Sequence, residues 1–117
     1  MLYKLLMLNL VHYGYGINFI IHKKMTTLII FHEVNDGNRW DRAWKKGPGS
    51  RHEMFAQYGL KARTFHDPEN ANSKGLIVEI PDMKIWQEIM GSEEGKKAMA
   101  EDGLKVETLR MLTEFTP

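Results

Sequence analysis

The chain has 117 residues, 43% hydrophobic and 26% charged, with a formal charge of +1; that length and balance fit one globular domain and exclude two. It contains no cysteine, which excludes disulfides, cysteine-ligated zinc, iron–sulfur clusters and thiol nucleophiles, and makes a reducing cytoplasm the simplest compartment. The charge is uneven: Met1 to Lys24 carries Lys4, Lys23 and Lys24 and no acid, and setting those three aside leaves 13 basic against 15 acidic residues. That body, near −2, lacks the basic stripe a nucleic-acid partner would need.

The first segment, Met1 to Lys24, is apolar and aromatic, but Lys4, Asn9, His12, Gly14, Gly16 and Asn18 interrupt it. No stretch approaches the ~20 apolar residues of a membrane helix, so no membrane partner is expected. Lys4 followed by Leu5 to Val11 imitates a signal peptide, yet no small-x-small cleavage site follows. Composition changes at Met25. Met25 is therefore expected to be the natural start, with residues 1–24 an extension outside the core and residues 25–117 a single domain.

Thr27 to Val34 (TLIIFHEV) reads as a strand whose continuous apolar run demands cover on both faces. Asn35-Asp36-Gly37-Asn38 is a turn that caps a short helix carrying Trp40, Ala43 and Trp44 at helical spacing. Gly47-Pro48-Gly49 ends that helix. Ser50 and Glu53 form an S-x-x-E capping box opening a second one, Arg51 to Tyr58, which Gly59 closes. Leu60 to His66 is the next strand, Asp67 to Ser73 a polar loop, and Lys74 to Ile80 the third strand, the last two strands forming a hairpin. Pro81-Asp82 starts a helix with the stripe Ile85, Trp86, Ile89 and Met90; Ser92 caps another, with Glu93 and Glu94 at its positive end, closed by Gly103. The last strand is expected over Val106 to Phe115.

The order β-α-β-β-α-β, with its second helical region split as PDMKIWQEIMGSEEGKKAMAEDG, resembles the ferredoxin-like fold in its dimeric α+β-barrel form. That superfamily includes antibiotic-biosynthesis-type monooxygenases, stress-responsive barrel proteins and muconolactone isomerases. More narrowly, FHEV, GSRHEMFAQYGL and GLIVEIPDM resemble an uncharacterised family of small bacterial, partly cyanobacterial, proteins. The resemblance implies an antiparallel sheet with helices on one face, a homodimer pairing two sheets, a cleft for a small apolar or aromatic ligand, and no cofactor. Its monooxygenases work with a few polar side chains, commonly His, Asn and Trp. Independently, an apolar sheet face without helices needs a second subunit as cover.

Candidate chemistry centres on His32, which ends the first strand among apolar residues and suits a general base or a ligand hydrogen bond, against the plainer role of a structural histidine. His52, one turn into a helix, and His66, ending the second strand, either converge with it or lie scattered. A metal is not expected, because His52-Glu53 lacks the second histidine of H-E-x-x-H. Trp40 and Trp44 share a helical face that lines either a pocket or the core, and Phe55 joins them. Arg39, Arg42, Lys45, Lys46 and Arg51, interleaved with acids, read as a solvated face. Glu79 and Arg110, charges inside apolar strands, either pair with each other, the plainer expectation, or face the cleft. The sequence thus suggests a cytoplasmic homodimer binding a small apolar molecule near His32, Trp40, Trp44, His52, Phe55 and His66. The alternatives are a cofactor-independent monooxygenase or isomerase with His32 as catalytic residue, and a stress-related interaction dimer without a ligand.

Overall fold

The structure is a computed structural model describing residues 25–117; the expectation about residues 1–24 falls outside that range. Strand β1 (Thr26–Val34) runs through the middle of a four-stranded sheet. Helices α1 (Gly37–Trp44) and α2 (Arg51–Ala56) follow, then β2 (Lys61–Asp67), β3 (Asn70–Ile80), α3 (Met83–Gly91), α4 (Glu93–Glu101) and β4 (Leu104–Thr113). The strands pair antiparallel in the order β2-β3-β1-β4. Two β-α-β units are thereby interleaved, and the helices cover one face.

Period-two alternation sorts β1 into two rows. Leu28, Ile30, His32 and Val34 are buried, whereas Ile29, Phe31 and Glu33 are exposed. The core consists of the buried row with Leu76, Val78 and Ile80 of β3, against Trp40, Trp44, Phe55, Trp86 and Ile89 from the helices. The second apolar row, expected to be covered, stays open among the described residues. The register aligns Ile77, Ile29 and Leu112 across it, and Phe65, Gly75 and Phe31 beside them.

Local signals set the helix ends. The Asp36 carboxylate accepts from the Asn38 and Arg39 N–H groups, and the Ser50 hydroxyl accepts from the Glu53 N–H at 3.2 Å. The reciprocal half of that capping box is displaced: the Glu53 carboxylate accepts from Gly49 N–H, at 3.0 Å, not from Ser50. Gly37 has a packing reason, since its N–H donates to Asn72 Oδ1 at 2.8 Å and a Cβ there would lie 1.9 Å from the Ala71 carbonyl oxygen. The tip of the β2–β3 hairpin thus sits on the start of α1.

Three expectations need correction. The loop predicted over Asp67 to Ser73 is a two-residue turn, because Asp67 already pairs with Asn70; ladder bonds hold this polar end of β3, which projects past the core and needs no apolar pattern. Strand β4 starts at Leu104 and ends at Thr113, not Val106 to Phe115, since Leu104 pairs with Val34 and Asn35 N–H donates to the Gly103 carbonyl. Where its register shifts, the Thr108 hydroxyl accepts from Glu33 N–H at 2.8 Å. Finally, Glu79 and Arg110 do not pair. Glu79 lies opposite Thr27 and Lys61, and Arg110 lies opposite Phe31, so β1 separates them and they stand four residues apart along it.

Candidate functional site

Between sheet and helices lies a cavity of about 70 Å³, lined by Ile30, His32 and Leu76 from the sheet, Trp40, Trp44, Phe55 and Trp86 from the helices, and Met54, Met90, Met99 and Met111 around them. Its polar lining is sparse: His32 on one side, the Arg51–Asp102 pair on another. Aromatic contacts run along the wall. His32 meets Trp40 at 5.7 Å between ring centroids, Trp40 stacks on Trp44 at 5.6 Å, Trp44 meets Phe55 edge-on at 5.1 Å, and Phe55 meets Trp86 at 6.1 Å. The i, i+4 spacing on α1 makes this possible, and its tryptophans serve core and cavity wall together.

His32 is only 5% exposed, and among the described residues neither of its ring nitrogens has a hydrogen-bond partner. Burial pushes its pKa down to about 4, helped by the positive charge of Lys74, so the ring is neutral at pH 7 and offers one donor and one acceptor.

Lys74 sits beside His32 in the sheet register and is itself buried. Its ammonium contacts Asp41 at 2.7 Å and lies 5.2 Å from the Trp40 ring. This lysine is in phase with Leu76, Val78 and Ile80, so alternation along β3 was the signal that could have found it. The partner acid on α1 carried no signal, because the contact joins residues 33 apart.

The remaining candidates separate. His52 stacks edge-on against Trp44 at 5.2 Å but does not line the cavity; burial, then Lys46, lowers its pKa. His66 shares the sheet row of Lys74 and His32, yet β2 is an outer strand, so this histidine is exposed and borders a shallow recess with Trp40, Asp41 and Thr64. Of the two arrangements open to the three histidines, convergence or scatter, the fold has the scattered one. The basic segment also needs correction: Arg51 binds Asp102 through Nε and Nη2 at 2.9–3.1 Å, and Arg39 holds the carbonyls of Ala100 and Glu101. Both arginines clasp the C-terminal end of α4, where cations oppose the helix dipole. Among the described residues, no three His, Asp or Glu side chains gather as a metal site would require, and no helix is long and apolar enough to cross a membrane.

No protein-family model matches the chain, and no curated protein matches it in sequence. Solved structures do match in shape. A Nitrosomonas europaea protein assigned to the antibiotic biosynthesis monooxygenases superposes with a TM-score of 0.60 at 10% identity, over 84% of this chain and 95% of its own. SnoaB, a cofactor-independent oxygenase from Streptomyces nogalater, gives 0.55 at 12% identity, over 80% and 92%. A conserved Bacteroides thetaiotaomicron protein of unknown function gives 0.52 at 15% identity, over 80% and 96%. At such identities the likeness concerns the backbone, and it matches the four-stranded antiparallel sheet with helices on one face: the chain has an α+β, ferredoxin-like fold, which these structures share.

Proposed function

We propose that the protein is a cytoplasmic homodimer holding a small, largely apolar molecule between sheet and helices, with His32 meeting the guest's one polar group. The observation that carries this is the orphaned imidazole. Nearly every buried polar group in a folded protein has a partner, whereas His32 brings two unpartnered nitrogens to the wall of an apolar cavity. A neutral ring there suits a hydroxyl, carbonyl or amide and gives no counter-charge to a carboxylate. The second copy is the cover for the open row of Ile29, Phe31, Phe65 and Leu112, each 38–47% exposed.

The test is an NMR titration with phenol against toluene. Saturable shifts of the tryptophan indole and His32 ring signals are expected with phenol, and His32→Phe should weaken phenol about tenfold, as loss of one buried hydrogen bond does, while leaving toluene unchanged. No saturable shift with either probe, or equal phenol affinity in both proteins, refutes the site.

A second reading, cofactor-independent oxygenation, is favoured by the named chemistry of two fold neighbours. Here His32 accepts the proton of an activated C–H beside an aromatic ring; the resulting carbanion adds dioxygen to give a C–O–O⁻ peroxide, which takes the proton back from His32 and then loses water, leaving a carbonyl on that carbon. An imidazole of pKa about 4 is a weak base, so the transfer succeeds only where the new anion raises that pKa by its own charge. Oxygen uptake that disappears in His32→Ala supports catalysis; binding without uptake leaves the carrier role. A folded dimer that binds neither probe would leave the interaction role.

A further inference from the structure

We propose that α4 is a movable cover on this cavity, that the Arg51–Asp102 ion pair is its latch, and that the latch therefore decides which guests enter. The inference rests on the cavity being a binding site. At about 70 Å³ the resting space is roughly half the ~150 Å³ that lets an apolar cavity take up benzene. A single aromatic ring cannot enter until some wall moves.

Three of the four helical walls are anchored by buried apolar side chains: α1 by Trp40 and Trp44, α2 by Phe55, α3 by Trp86 and Ile89. Helix α4 differs. Its one wholly buried residue is Gly95, which lets its first turn lie against the Ile89 carbonyl, and Ala98 and Met99 are only half-buried. Its far end is held by polar contacts instead. Arg51 bridges to Asp102 at 2.9 Å and to Glu101 at 3.2 Å, and Arg39 donates to the Ala100 carbonyl at 3.1 Å. An element with few buried apolar contacts opens locally before the core does.

The opening has a defined place. Arg51, Met54 and Ala98 line the cavity on one side and a surface groove between α2 and α4 on the other. The wall there is one side chain thick, and the latch is part of it. Release of Asp102 would join the two spaces, with α4 pivoting at the Ser92 corner, where the Ser92 hydroxyl donates to the Ile89 carbonyl.

Amide hydrogen exchange on the full chain at pH 7, with no ligand added, tests the cover directly. Amides of the last turn of α4 should exchange at least about tenfold faster than those of α3 and β3. Arg51→Met should raise the rate further in α4 alone, and the milder Arg39→Met should act in the same direction. Exchange of α4 at the rate of the sheet, or a uniform rise everywhere in both variants, overturns the proposal. Phenol binding with unchanged α4 exchange also rejects the cover while keeping the site. Fast, latch-dependent exchange without phenol binding keeps the cover and rejects the site.

Discussion

Acid should weaken this fold through one residue, His32. In an unfolded chain its imidazole titrates at its ordinary 6.5, but in the fold at about 4. Between those values the unfolded state binds more protons than the native one, so stability is complete above pH 6.5 and falls as pH falls toward 4. At about 1.36 kcal/mol per unit, this linkage removes about 2 kcal/mol between pH 7 and 5 and about 3 kcal/mol by pH 4. Against a typical stability of ~5–15 kcal/mol that is a large share. The informative quantity is the difference between wild type and His32→Phe in urea unfolding at pH 7, 6, 5 and 4.5, which isolates the contribution of this ring. The wild-type curve should drop about 2 kcal/mol more steeply by pH 5. Parallel curves would show that the ring has a partner or reaches water, and would remove the basis for treating it as an orphaned group facing a guest.

The Lys74–Asp41 pair, buried on the lysine side and wet on the other, predicts an asymmetry. Asp41→Asn leaves the Lys74 ammonium, whose side chain is 1% exposed, without its counter-ion, and should cost about 2 kcal/mol in urea unfolding, less than for fully buried pairs because Asp41 is wetted. Lys74→Met leaves only a solvated carboxylate and should cost under about 1 kcal/mol; the reverse ranking would refute the assignment. Gly37→Ala, with its Cβ driven into the Ala71 carbonyl, should destabilise by more than about 2 kcal/mol and shift the fluorescence of the Trp40–Trp44 pair, and a neutral effect would place the hairpin elsewhere. On the open sheet face, each large apolar side chain left in water forgoes ~1.5–3 kcal/mol, so sedimentation should report twice the 13.6 kDa chain mass, and Leu112→Asp should release monomer. A wild-type monomer at micromolar concentration would refute the paired sheets.

Much of the architecture was already legible in the order of residues, because helix ends and strand alternation are local physics. Asp36, Ser50, Asp82 and Ser92 each cap the helix they precede, and the β-branched run of β1 forms the central strand. The i, i+4 spacing of Trp40 and Trp44 puts both on one helix face, the face that lines the cavity with His32 and Phe55. What only tertiary structure decided were contacts between charges distant in the chain. Arg51 reads as part of a solvated face and Asp102, 51 residues on, carries no signal of its own, yet folding joins them in the cavity wall. His66 and His32 both lie near the end of a strand, but only strand order puts β2 outermost and β1 inside the sheet, exposing one imidazole and burying the other. Periodicity records which side of an element faces inward; it does not record what stands opposite, and the chemistry of His32, Lys74 and Arg51 depends on that.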